Sequence, residues 1–285
     1  MRIVVVCTMN QARSPFAQAV LERNFPDDQI SSTGVRAIVD TPVMEMVASI
    51  AKEWNMPISK KYSTNLEVDK DEILSADLII CAEEAHCAAI TALGYTGALI
   101  SYEKILEDKD FIPQDPDGYS PENMRRELGK VAALTLRAVL DHKRITNRHP
   151  VLAVIPHGIS DLEMALTHAQ FERKLRGAVL IDVDLRAPLH QELSELGIQK
   201  IEFNVSHDFS SNPLVPNENE ALSHSHQIDD PERYFLDPLW RDFISTYSSQ
   251  VPVVLLTAPR HSRMRRLPDS YLCSLQADEF LVVSS

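Results

Sequence analysis

The chain has 285 residues, 44% of them hydrophobic and 24% charged, with a formal net charge of -13. Those values lie near the globular average and exclude a disordered or fibrous chain, and at roughly 100 to 200 residues per domain the length predicts two domains. An acidic balance with no basic run longer than Arg263 to Arg266 would repel phosphate backbones and excludes nucleic acid as a partner. The longest apolar runs, Ile3 to Cys7, Leu78 to Ala82 and Val251 to Leu256, are far shorter than the ~20 residues a bilayer requires, so no membrane span is expected. Nothing resembling a secretion leader follows Met1, which predicts a cytoplasmic location. Cys7, Cys81, Cys87 and Cys273 make no C-x-x-C pair and are expected as free thiols. The eight glycines include no G-x-G, which excludes dinucleotide fingerprints and intact glycine-rich nucleotide loops.

Arg2 to Val6 is β-branched and apolar, the profile of a strand buried on both faces, and it ends at Cys7 before the polar loop Thr8 to Arg13. Ser14 is predicted as the N-cap of a helix with Pro15 in its first position; Phe16 with Val20 and Ala17 with Leu21 supply one apolar face. Helices are further predicted over Val43 to Asn55, from Ile73 into a strand at Leu78 to Cys81, and over Ala85 to Leu93. Another runs over Pro121 to Lys143, beyond a loop around Asp115 to Ser120. This alternation predicts an α/β domain with a parallel sheet over residues 1–144.

The polar stretch Arg144 to Pro150 marks the boundary, and a second α/β domain is predicted over 150–285. Its strands are Val151 to Ile155, Ala178 to Val183, Lys200 to Val205, Val251 to Thr257 and Glu279 to Ser284, with a helix from Ser160 to Leu175. Asp208 to Asp237, rich in Asn, Ser, His, Pro and acids, is expected as an irregular excursion. The fold class is therefore α/β, with two doubly wound parallel-sheet domains.

A strand ending in Cys7, then five residues, then Arg13-Ser14 opening a helix is the arrangement a cysteine needs to attack a phosphate ester. The loop residues Thr8, Met9, Asn10, Gln11 and Ala12 can wrap a tetrahedral anion with successive N–H groups above the positive end of a helix, and the same donors favour thiolate over thiol. Arg13 can bind two non-bridging oxygens at once, a fork that lysine cannot copy. Ser14 can donate a hydrogen bond to the sulfur, and Asp115, stiffened by Pro116, can protonate the leaving oxygen, with Asp117 as its competitor. No metal or cofactor is required by this chemistry.

These residues, together with Ser31-Ser32-Thr33-Gly34, Ala76-Asp77-Leu78-Ile79-Ile80 and Asp115-Pro116 in that order, resemble the low-molecular-weight protein tyrosine phosphatases across residues 1–144. The resemblance implies a two-step mechanism through a phosphocysteine on Cys7, with Asp115 as acid and then base, and a left-handed Asn10 shaping the loop. Four positions depart from the family pattern. Met9 stands where the family has glycine, Ala12 where many members have a second cysteine, Lys60 near a supporting histidine, and Asp117 where an aromatic often meets phosphotyrosine; Tyr119 is the substitute candidate for that aromatic. Cys81 and Cys87 raise a further reading, because thiol-dependent arsenate reductases of this fold relay a disulfide through two cysteines in that region. The simpler expectation is that both are small core residues.

Val179 to Pro188, Val253 to Pro259 and Asp278 to Val283 resemble strands of the bacterial tyrosine kinases and their deviant P-loop ATPase relatives. Where the phosphate loop should follow, the chain reads Pro156-His157-Gly158-Ile159-Ser160-Asp161-Leu162-Glu163, without lysine and with acids that repel nucleotide phosphates. Asp182 and Asp184 then read as strand-end remnants, and the second domain as a degenerate, nucleotide-free, pseudokinase-like docking module. The expected function is a protein tyrosine phosphatase whose partner is a phosphotyrosine protein, such as a bacterial tyrosine kinase or polysaccharide-export component, in control of exopolysaccharide export. The alternative is a regulatory scaffold in which Met9 disables catalysis and the loop only captures phosphate.

Overall fold

The computed structural model describes residues 1–105, 112–115, 118–144, 149–183, 199–203, 220–224, 235–257 and 277–284. The chain divides into two units, Met1–Ile145 and Thr146–Ser285. Pro116, Asp117, Asp184, Arg263 to Arg266 and Cys273 lie outside the described residues.

In the first unit the strands are β1 (Arg2–Cys7), β2 (Gln29–Gly34), β3 (Leu78–Cys81) and β4 (Ala98–Ser101). The helices are α1 (Arg13–Asn24), α2 (Glu45–Glu53), α3 (Lys70–Leu74), α4 (Glu84–Ala92), α5 (Tyr102–Ile105) and α6 (Pro121–His142). The sheet is parallel, in the order β2-β1-β3-β4. Successive side chains of a strand point to opposite faces, so Val4 and Val6 join Ile79, Cys81, Cys87, Ile90 and Tyr95 on one face, while Ile3, Val5 and Cys7 turn to the other. There α1 packs on β1, β2 and α6, and Phe16 meets Trp54 edge-on with ring centroids 5.8 Å apart. In this strand order the direction of winding reverses between β1 and β3, and ligands of open parallel sheets bind at the carboxyl ends of strands beside such a reversal. Cys7 ends β1 at that place.

A clamp closes the far end of the unit. Asp28 accepts from the N-terminal amine at 2.8 Å and from Lys143, whose ammonium also lies 4.7 Å from the centre of the Phe25 ring. Burial works against the charge of Asp28, but the bonds to Lys143 and the amine hold its pKa below the ordinary carboxylate range.

Two strands were not legible in the apolar pattern. β2 reads Gln-Ile-Ser-Ser-Thr-Gly, and its buried Ser32 and Thr33 are satisfied by hydrogen bonds instead of by apolar packing. β4, Ala-Leu-Ile-Ser, is too short to show a period. The predicted N-cap also moves: α1 starts at Arg13 with Ala12 at the cap position, because the Ser14 hydroxyl is committed elsewhere.

The second unit holds β5 (Val151–Pro156), α7 (Leu162–Arg176), β6 (Val179–Asp182), β7 (Gln199–Phe203) and β8 (Glu220–His224). Helix α8 (Pro238–Ser248), β9 (Val253–Leu256) and β10 (Glu279–Val283) follow. Its six described strands are all parallel, in the order β10-β5-β9-β6-β8-β7. Leu152, Val154, Leu166, Leu180, Val254 and Leu256 form the core between sheet and α7. The excursion expected over 208–237 is corrected in part, since residues 220–224 pair in parallel with both β6 and β7. Helix α8 was missed despite its start signal, Asp237 accepting from the Leu239 amide with Pro238 in the first turn. Among the described residues, no helix is long and apolar enough to cross a membrane.

Candidate active site

The loop after β1 curls over its own cysteine. Asn10 takes φ 53°, the left-handed region that asparagine tolerates, and this bend aims its N–H at the Cys7 sulfur at 3.3 Å. Its side chain fixes the bend from both ends. Nδ2 donates to Ser14 Oγ at 2.9 Å and Ser32 Oγ at 3.0 Å, and Oδ1 accepts from the Thr64 amide at 3.0 Å. Ser14 Oγ lies 3.0 Å from the sulfur. The bonds among Cys7, Asn10, Ser14 and Ser32 are buried, where hydrogen bonds strengthen one another.

Met9, where the family pattern has glycine, is not in the left-handed region. Its side chain stands in the wall of the pocket without straining the loop. With Cys7, Gln11, Ala12, Arg13, Met44 and Asp115 it lines a pocket of about 190 Å³. Gly34 makes this crowding possible, because a Cβ there would lie 2.8 Å from the Thr8 carbonyl oxygen and 2.9 Å from the Asn10 nitrogen.

Arg13 has a side chain only 3% exposed, and its two terminal nitrogens are both engaged. Nη1 pairs with Glu83 at 2.6 Å; Nη2 pairs with Asp115 at 3.2 Å and donates to Thr8 Oγ1 at 3.4 Å. Burial opposes its charge, yet Cys7, Glu83 and Asp115 together hold the guanidinium pKa above its ordinary value. The structure thus brings Cys7, Met9, Gln11, Ala12, Arg13 and Asp115 to one opening, with Ser14 and Asn10 buried against the sulfur and Thr8 bonded to Arg13. Tyr119 is not among the residues that line it.

Sequence reasoning missed several supports. Glu83 immediately precedes α4, and His86, three residues on in its first turn, places Nε2 3.1 Å from Thr8 Oγ1. Burial, the largest influence, lowers the His86 pKa against the pull of Glu83, so the imidazole is neutral at neutral pH. The usable signal was position, since both residues follow directly on β3 at the carboxyl edge of the sheet. Lys60, which the sequence places near a supporting position, donates to the Ser32 carbonyl and to Thr64 Oγ1, bracing the segment that holds Asn10. Met44 reaches the pocket on a loop tied down by its amide, which donates to the Gln11 carbonyl at 3.0 Å.

The two neighbouring thiols, Cys81 and Cys87, act on one another, and this raises the Cys81 pKa and lowers that of Cys87. They sit in the apolar cluster with Val6, on the face of the sheet opposite Cys7. That placement fits small core residues and does not present either sulfur to the nucleophile.

In the second unit, the turn after β5 carries a buried acid, Asp161, whose Oδ2 accepts from the Gly158 amide at 2.8 Å. An internal carboxylate there engages the Gly158 amide.

Residues 2–131 match the model of the family described as low molecular weight phosphotyrosine protein phosphatase. The low molecular weight protein-tyrosine-phosphatase PtpB of Staphylococcus haemolyticus is 35% identical over 131 residues, covering 44% of this chain and 88% of that protein. The phosphatase Etp of Escherichia coli is 29% identical over 119 residues, covering 41% of this chain and 76% of its own. The solved structure of the Erwinia amylovora tyrosine phosphatase amsI matches with a TM-score of 0.43 at 22% identity, over 49% of this chain and 91% of that one. Through its first unit, this chain belongs to the low molecular weight phosphotyrosine protein phosphatase family.

Proposed function

We propose that the first unit hydrolyses phosphotyrosine in proteins through a phosphocysteine on Cys7. The observation that carries this reading is a sulfur backed by a buried hydroxyl at 3.0 Å and sharing one opening with a bridging guanidinium and a carboxylate. The Cys7 thiolate attacks phosphorus, the bond to the tyrosyl oxygen breaks, and Asp115 gives its proton to that oxygen. Arg13 exchanges its carboxylate partners for two oxygens of the transferring group. In the second step Asp115 takes a proton from water, the water oxygen bonds to phosphorus, and the sulfur leaves as thiolate, steadied by the Ser14 hydroxyl. The thioethers of Met9 and Met44 serve as walls for the phenyl ring, a contact methionine makes well.

The second unit is, on this reading, a nucleotide-free docking module of degenerate P-loop type. It is supported by its parallel sheet, by the missing lysine and by the carboxylate that fills the turn after β5. Its resemblance to bacterial tyrosine kinases supports a kinase or a polysaccharide-export component as the phosphorylated partner.

Turnover of an aryl phosphate by the full chain, compared with Cys7→Ser and Asp115→Asn, tests the proposal. Cys7→Ser should abolish turnover, and Asp115→Asn should lower it by about 10²-fold or more. No turnover by the unaltered chain, with phosphopeptide binding retained, would make the protein a phosphate-binding scaffold; arsenate reduction dependent on Cys81 and Cys87 would make it a reductase.

A further inference from the structure

Asp115 has a side chain 58% exposed, and among the described residues the side chain it bonds is Arg13. Its placement must then come from the backbone that carries it. Among the described residues, that backbone is tied to α6 through Glu127. Glu127, 2% exposed, accepts from the Gln114 amide through Oε2 at 2.9 Å, one residue before Asp115. Its other oxygen meets Arg126 Nε at 3.1 Å and Lys130 Nζ at 3.4 Å, so the carboxylate is held from both sides. A carboxylate so buried is retained only with partners for its charge, and an amide is one of them here. On the other side of Gln114, Pro113 is buried and locks its own φ.

We propose that Glu127 is a positioning residue for the proton donor: through the Gln114 amide it fixes the segment that carries Asp115 over the leaving oxygen. This rests on the reading of Asp115 as the acid. Expelling tyrosine needs that proton, whereas expelling dinitrophenolate does not, so a misplaced acid lowers kcat/KM, which reports the first step, for one substrate and spares it for the other; the second step, in which Asp115 is the base, is common to both.

The test compares a phosphotyrosine peptide with dinitrophenyl phosphate for the full chain, Glu127→Leu, Glu127→Gln and Asp115→Asn. Glu127→Leu should lower kcat/KM on the peptide by about 10- to 100-fold and change kcat/KM on dinitrophenyl phosphate by less than about 3-fold. Glu127→Gln keeps an acceptor for the amide and should recover part of the loss; it also carries the test if the leucine variant does not fold. The double variant Glu127→Leu with Asp115→Asn should be no slower on the peptide than Asp115→Asn alone. Equal losses on both substrates, or additive losses in the double variant, would reduce Glu127 to a structural role and overturn the proposal. If Asp115→Asn itself shows no selectivity between the substrates, the acid assignment falls first and this role falls with it.

Discussion

Gly34→Ala isolates the packing on which the phosphate loop depends. Glycine is required there for space, since its φ is not in the left-handed range and the added carbon would come within 2.8 to 2.9 Å of the Thr8 oxygen, the Asn10 nitrogen and the Ala37 Cβ. That is about 0.6 Å or more inside the ~3.5 Å at which carbon contacts become favourable. Two of the three neighbours are backbone atoms, which cannot rotate aside. The loop cannot slide either, because the Val35 and Arg36 amides bond the carbonyls of Cys7 and Thr8 at 3.0 and 2.9 Å. Overpacking of this kind typically destabilises by about 1–3 kcal/mol, and rigid neighbours put this site in the upper half. A loss of about 2–3 kcal/mol corresponds to a Tm lower by roughly 4–12 °C. Calorimetry of the full chain, read on the transition that added vanadate shifts upward, measures it. If the strain relaxes by moving the loop, kcat/KM should also fall by about 10-fold, since 1 Å of misplacement costs about 10²-fold. A variant with the Tm and kcat/KM of the unaltered chain would refute the claim that β2 and the loop are in obligatory close approach.

Asn10→Gly and Asn10→Ala should both weaken the unit through the three lost bonds, with alanine worse by about 1 kcal/mol because it alone resists φ 53°; urea midpoints rank the two. Asp28→Asn should lower stability at neutral pH and flatten its acid dependence. A carboxylate with a depressed pKa contributes above its unfolded value of about 3.9, and that contribution fades as pH falls through the lower folded value, which urea midpoints between about pH 2 and 7 would follow. Titration of the full chain with magnesium and ATP should release no binding heat, and saturable heat at micromolar ATP would overturn the reading of the turn at Gly158 and Asp161.

The strands and helices with an apolar period were legible: β1, β3, α6, β5 and β9 all fall where pattern and punctuation put them. β2 was not, because Ser32 and Thr33 replace apolar burial with hydrogen bonds, and only a partner's geometry reveals that. The nucleophile's surroundings divide in the same way. Cys7, Arg13 and Ser14 are neighbours in sequence, and their spacing encodes their meeting. Glu83 with His86, Thr64 and Glu127 support the site from three separate places in the chain, through side chains and, at Thr64, a backbone amide, in segments that carry no motif. Met9 shows the reverse case, because its φ, which residue type could not reveal, lies outside the left-handed region and leaves the loop backbone unstrained.

Arg13 rests between two acids that belong to the molecule. They behave as tethered rivals of whatever anion enters. A phosphate ion left behind after turnover therefore faces competitors that never diffuse away and are always ready to reclaim the guanidinium. The enzyme should consequently be poorly inhibited by its inorganic product, and neutralising Glu83 should make it hold that product more tightly.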